Sequence, residues 1–155
     1  MTTPAREIYL EDFVVGQPMR STLRYTIPKE ESVAFARQWD PQPFHLDEEA
    51  AKLTYGGLTA CSAYIFSVFC KESSTIFENS VVQAIAGLGF DEMRIHRPLF
   101  VGETIYVDVE VVENRRSRTK PDRGIVSSMN RMYNQQGELI FSIRSTAMIK
   151  ARTLC

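Results

Sequence analysis

The sequence predicts an α+β fold in which one long helix packs on a single curved antiparallel sheet. Two observations carry that expectation. From Leu58 to about Phe77 the chain reads as one helix, LTACSAYIFSVFCKESSTIF, whose first fourteen residues are almost wholly apolar or small. A helix so apolar predicts burial on most sides and wants a sheet wrapped about it. The second half supplies that sheet: residues 81–95, 103–114, 124–134 and 138–150 all read as strands bounded by turn chemistry.

Taken in order, the elements begin with an extended segment within residues 7–27. In Arg20–Ile27, Leu23, Tyr25 and Ile27 alternate with polar neighbours, as a half-buried strand requires. Pro28 then opens a helix, where its missing N–H costs nothing, and Glu30 and Glu31 suit the positive end of the dipole. Val33, Phe35, Ala36 and Trp39 give this helix an apolar stripe, and Pro41 and Pro43 end it. Asp47 is a good N-cap for a short helix over 48–53, and Gly56-Gly57 is a break before the long helix. Pro98 with Gly102, the segment Thr119–Gly124 and Asn134-Gln-Gln-Gly137 separate the strands that follow.

A chain of 155 residues predicts one domain spanning 1–155. A net charge of −1 argues against a nucleic-acid binder, which needs a basic excess or stripe. Cys61, Cys70 and Cys155 show no metal-type spacing, and an odd count fits a reducing compartment. No basic segment leads an apolar run at the N-terminus, and no stretch has a membrane span's length. The cytoplasm is the expected location, with no membrane partner and no metal.

Only two histidines are present. His96, in Arg94-Ile-His-Arg-Pro98, has no neighbouring base in sequence and reads as a structural or surface residue. His45 lies in Trp39-Asp-Pro-Gln-Pro-Phe-His-Leu-Asp47, where two prolines stiffen the path from Asp40. A carboxylate and an imidazole on a rigid turn can grip one water and pass protons to and from it. Hydration of a double bond beside a thioester needs that, since water loses a proton as it attacks the β-carbon and the α-carbon gains one. On spacing alone the pattern is equally met by an Asp40 that caps a turn and a His45 bonded to backbone.

The wider pattern is more specific. Asp40-Pro-Gln-Pro-Phe-His45-Leu-Asp47 resembles the hydratase motif of the MaoC-like, (R)-specific enoyl-CoA hydratase family, with Gln42 where Asn is usual. Asp12-Phe-Val-Val-Gly16, Thr54-Tyr-Gly-Gly-Leu-Thr-Ala60 and Arg97-Pro-Leu-Phe-Val-Gly-Glu-Thr104 resemble that family's segments in the same order, as do the later hairpins. The resemblance implies a hotdog fold, a homodimer or higher homo-oligomer, and an acyl tunnel near the subunit interface. It also implies Asp40 and His45 as the catalytic pair, Asp47 as a supporting cap, and an oxyanion hole from the Ser62 backbone N–H at the start of the long helix. Gly57 and Cys61 would lie against the substrate, an acyl thioester of CoA or acyl carrier protein, and no cofactor is implied. Where many members have Ala-His-Gly, this chain has Ala60-Cys61-Ser62, which places a side chain where the thioester approaches and makes any positive φ there costly.

A basic run, Arg115, Arg116, Arg118, Lys120 and Arg123, reads either as a solvated hairpin tip or as a contact for CoA phosphates, with Arg118 and Lys120 its candidates. Two rival functions stay open. A hotdog thioesterase would aim water at the carbonyl carbon and has no need of a carboxylate and a histidine at this spacing. A non-catalytic acyl-binding subunit would need neither. Dehydratases that place their acid on the long helix would have only Glu72 to use, about four turns into that helix.

Overall fold

The computed structural model describes residues 5–152. The long central helix α4 (Ser62–Ser74) lies against a curved antiparallel sheet, the hotdog arrangement. Four long strands build that sheet: β5 (Ala84–Ile95), β6 (Thr104–Arg116), β7 (Arg123–Asn134) and β8 (Leu139–Lys150). Two short strands, β2 (Pro18–Arg20) and β3 (Tyr25–Thr26), both pair with β6, so the order runs β2-β6-β7-β8-β5. A separate parallel pair joins β1 (Arg6–Ile8) to β4 (Ser80–Val82).

Strand β6 shows how sequence sets the layers. Ile105, Val107, Val109 and Val111 point to the helix side and are buried, while their neighbours face outward. Each such side chain contributes about 1.5–3 kcal/mol by leaving water. Ile105, Val107 and Val109 meet Tyr64, Ile65, Val68 and Phe69 of α4, joined by Met132 of β7 and Ile140, Phe141 and Ile143 of β8, while Val111 packs with Ile8, Leu10, Phe13 and Val126 in a second cluster.

Several expectations need correction. The long helix begins at Ser62, not Leu58. Residues 58–60 run extended because Ala60 N–H donates to the Leu99 carbonyl and Val101 N–H to the Leu58 carbonyl. It also ends at Ser74, and one face stays open: Ser62, Ala63, Ser67, Cys70 and Lys71 are exposed. The segment Arg20–Ile27 is not one strand, and Leu23 is exposed. Residues 81–95 divide at Gln83 into β4 and β5. Helix α1 (Lys29–Trp39) buries Ser32 and Ala36, whereas Trp39 lies 64% exposed. The two prolines do not merely stop α1: Pro43 opens a one-turn helix α2 (Pro43–Leu46), followed by α3 (Glu48–Thr54). Asp47 caps α3 as expected, its Oδ1 accepting from Ala50 N–H at 2.9 Å. Cys155 lies outside the described residues, and no described helix is long and apolar enough to cross a membrane.

Candidate active site

Helix α1 ends at Trp39, and Asp40 turns the chain with its N–H bonded to the Ala36 carbonyl at 2.8 Å. The Gln42 N–H then reaches back to the Asp40 carbonyl at 2.8 Å, so the two prolines sit in a tight, bonded turn. Pro43 takes the first position of α2, where its fixed φ suits the helix. His45 follows within that turn and is only 9% exposed.

Its ring is held from both sides. Nδ1 donates to the Thr59 carbonyl at 2.8 Å, with the Thr59 hydroxyl 3.2 Å away. A carbonyl only accepts, so Nδ1 carries the proton, and Nε2 of the neutral ring keeps its lone pair. Nε2 lies 3.8 Å from Asp40 Oδ2. That gap is too long for a direct hydrogen bond, and a single water about 2.8 Å from each atom fits it. The edge of Phe44 packs on the imidazole at 4.5 Å between centroids, and Tyr55 packs on Phe44 at 5.3 Å.

His45 opens onto a cavity of about 360 Å³, whose other walls include Thr59, Ala60, Ser62 and Ile65. Ile95, His96, Arg97 and Pro98 close the far side. Asp40 is not in that lining, and its side chain is 34% exposed. Ser62 is the first residue of α4, and its N–H has no hydrogen-bond partner among the described residues. Cys61 has an ordinary φ of −73° and Ser62 is helical, so the replacement of His-Gly by Cys-Ser carries no backbone strain.

The remaining sequence candidates are distributed differently. Cys61 is fully buried in the core rather than in the cavity wall, and burial pushes its thiol pKa up. Gly57 faces Phe100 in a neighbouring hollow with Glu48, Lys52 and Leu58. Arg118 and Lys120 sit on the β6–β7 hairpin, which the structure does not bring together with His45. Ile95 pairs with Phe141 at the cavity end of the sheet, whereas Ala84 and Arg123 pair with the other end of β8.

His96, read from sequence as structural or surface, is exposed and yet lines the same cavity as His45, its Nε2 2.8 Å from the Ser142 hydroxyl. Arg97 beside it bonds the carboxylates of Glu103 and Glu138, which Asn134 also bonds, so the β5–β6 corner is pinned. Nothing in the sequence signalled this wall, because it depends on which strand ends meet. Among the described residues, no cluster of three or more His, Cys, Asp or Glu side chains has metal-binding geometry.

The model of the MaoC-like domain family matches residues 12–130. A MaoC-like dehydratase from Rhodospirillum rubrum is similar at 32% identity, covering 95% of this chain and 99% of its own, with a TM-score of 0.85. A monoamine oxidase regulatory protein from Archaeoglobus fulgius is 29% identical over 97% of this chain and 100% of its own, also at 0.85. An (R)-hydratase from A. caviae involved in PHA biosynthesis is 25% identical over 92% of this chain and 99% of its own, at 0.66. With that match over most of its length, the chain belongs to the MaoC-like domain family.

Proposed function

We propose that this chain is a hydro-lyase that adds water to a 2-enoyl thioester, or removes it from a 3-hydroxyacyl thioester, with Asp40 and His45 as the catalytic pair. The family and its hydratase and dehydratase relatives support that chemistry in general. The observation that carries the finer reading is the 3.8 Å approach of His45 Nε2 to Asp40 Oδ2 beside a cavity.

Two acceptors at that spacing orient one water by taking both of its O–H groups, which leaves its lone pairs free for the β-carbon. As the new C–O bond forms, one member of the pair takes a proton from the water, and a proton passes from the pair to the α-carbon. The pair ends with the protons it began with, so no cofactor is consumed. Charge gathers on the thioester oxygen meanwhile, and we assign its stabilisation to the free Ser62 N–H, a reading supported by the position of Ser62 at the positive end of α4 and in the cavity wall. The thioester carrier is CoA or acyl carrier protein.

The working unit is a homodimer. Strand β5 is a sheet edge of twelve residues, exposed along its length, with Ile85, Leu88, Phe90, Met93 and Ile95 all uncovered. So long an apolar edge invites pairing with another strand, and a second copy offers the matching one.

The test is loss of the conjugated-thioester absorbance of crotonyl-CoA, with free thiol followed in parallel. Asp40→Asn and His45→Gln are each expected to lower hydration by about 10²–10⁴-fold with the fold retained. Near-full activity in either variant overturns the pair. Thiol release without hydration would mark a thioesterase instead.

A further inference from the structure

We propose that the substrate's acyl chain carries a hydroxyl group far from the thioester, recognised by Asn130 and Ser145 in a second hollow beneath α4. The inference deepens the hydro-lyase reading and rests on it.

The hollow, of about 390 Å³, lies between the carboxyl-terminal half of α4 and the inner face of the sheet. Phe13, Phe69, Phe77 and Val109 make its walls apolar, and no charged side chain lines it. Its floor is of another kind: Ser128 and Asn130 of β7 with Ser145 of β8. Alternation turns Val126, Ser128, Asn130 and Met132 to the helix side, where apolar residues are the rule.

Asn130 is 3% exposed, and its amide is fixed in orientation. Nδ2 donates to the Ser128 carbonyl at 3.1 Å, the Ile143 carbonyl at 3.1 Å and Ser145 Oγ at 3.0 Å. Two of those partners are carbonyls, which only accept, so they hold the nitrogen end. Oδ1 is left over and meets no donor among the described residues. The Ser145 hydroxyl accepts from Nδ2 and keeps its own proton to give. A buried acceptor beside a free donor, among apolar walls, is costly until something meets both. A hydroxyl does so at once, because it donates and accepts. A methyl end leaves both unmatched, and a carboxylate would face Oδ1 with no cation nearby.

The hollow also lies where a chain tail would reach. Ile65 lines the catalytic cavity and Phe69 the hollow, one turn apart on one face of α4. Phe69 and Ser73 stand roughly 10 and 16 Å along α4 from Ser62, at the rise of an α-helix. The sheet agrees: Phe141 pairs with Ile95 of the cavity wall, and Ser145 is roughly 13 Å further along β8. An extended decenoyl chain brings its far end to that depth.

The experiment compares dec-2-enoyl-CoA with its ω-hydroxy and ω-carboxy derivatives. In the wild type, kcat/KM is expected to be highest for the ω-hydroxy substrate, by about tenfold over the plain chain. Asn130→Leu removes the acceptor and is expected to abolish that preference through KM, whereas a merely structural Asn130 would lower both substrates alike and keep the ratio. Should Asn130→Leu not fold, Ser145→Ala, which leaves Nδ2 both carbonyls, reads the same ratio. A wild type that favours the plain or carboxylated chain, or a ratio unchanged by substitution, overturns the proposal. If the wild type hydrates no thioester, crotonyl-CoA included, it is the hydro-lyase reading that fails. Calorimetry with decanoyl-CoA and ω-hydroxydecanoyl-CoA, which have no double bond to hydrate, then still decides the hollow. Binding about tenfold tighter with the hydroxyl supports it, and equal binding overturns it.

Discussion

The two ends of helix α4 each carry a polar group without a partner, and they differ in what surrounds it. At the amino end, the Ser62 N–H opens onto the cavity that His45 lines. Near the carboxyl end, Glu72 is fully buried, and neither carboxyl oxygen is hydrogen-bonded among the described residues. The Ser21 hydroxyl lies beside it but outside hydrogen-bond geometry, and instead accepts from Val107 N–H at 2.9 Å. An orphan donor facing a cavity is available to a ligand. An orphan acid sealed in a core only costs stability. The same defect is thus a candidate site in one place and a liability in the other.

The largest effect expected from this contrast is at Ser62. Proline suits the first position of a helix, and Cys61, with φ −73° and ψ 157°, already has the extended backbone that precedes proline. Ser62→Pro therefore removes the N–H while the helix persists. We expect kcat for crotonyl-CoA to fall by about 10²–10³-fold, while Ser62→Ala, which keeps the N–H, stays within about threefold. A Ser62→Pro enzyme with wild-type kcat would show that charge develops elsewhere.

At the other end the sign reverses. Burial pushes the Glu72 carboxyl above the ordinary glutamate range, against weaker pulls from Ser21, Arg24 and Lys71. A raised carboxyl pKa means the folded state holds a proton that the unfolded state releases. Stability is then highest below the unfolded value and falls as pH rises toward the folded one. Glu72→Leu is expected to raise stability at pH 7 by about 1–3 kcal/mol, and Glu72→Gln to flatten the pH slope. Denaturant unfolding from pH 4 to 8 reads both. A wild-type chain more stable at pH 8 than at pH 5, with the slope unchanged in Glu72→Gln, would place the titration on another group.

How much of this was legible in the sequence follows the range of the interactions. Periodicity found the four long strands because alternation in Ile105-Tyr-Val-Asp-Val-Glu-Val111 is local and strong. The proline-bound Asp40–His45 turn was legible for the same reason. The start of α4 was misplaced by four residues, since apolar content at Leu58–Ala60 looks helical. What draws those residues into an extended bridge is backbone of the β5–β6 connection at residues 99–101, some forty positions away. The Thr59 carbonyl that fixes the His45 tautomer is backbone and leaves no trace in residue identity. Likewise, Arg118 and Lys120 were visible as a basic run, but their distance from the cavity depends on sheet topology alone.

The smallest effect concerns an acid near α4 that, unlike Glu72, is satisfied. Glu31 Oε1 accepts from the Tyr64 hydroxyl at 2.7 Å and the Tyr25 hydroxyl at 2.8 Å, tying α1 and β3 to the first turn of α4. Those two bonds hold its carboxyl below the ordinary glutamate range. A depressed carboxyl pKa contributes stability that is present above the unfolded value and is lost as pH falls through the folded one, the reverse of Glu72. Because Glu31 is solvent-exposed, screening keeps the contribution to about 1 kcal/mol or less. Glu31→Gln should therefore lower the unfolding midpoint slightly at pH 7 and narrow the difference between variant and wild type at pH 3. A difference that widens in acid would mean the tyrosine hydroxyls favour the protonated form. Glu31 would then belong with Glu72 rather than opposite it.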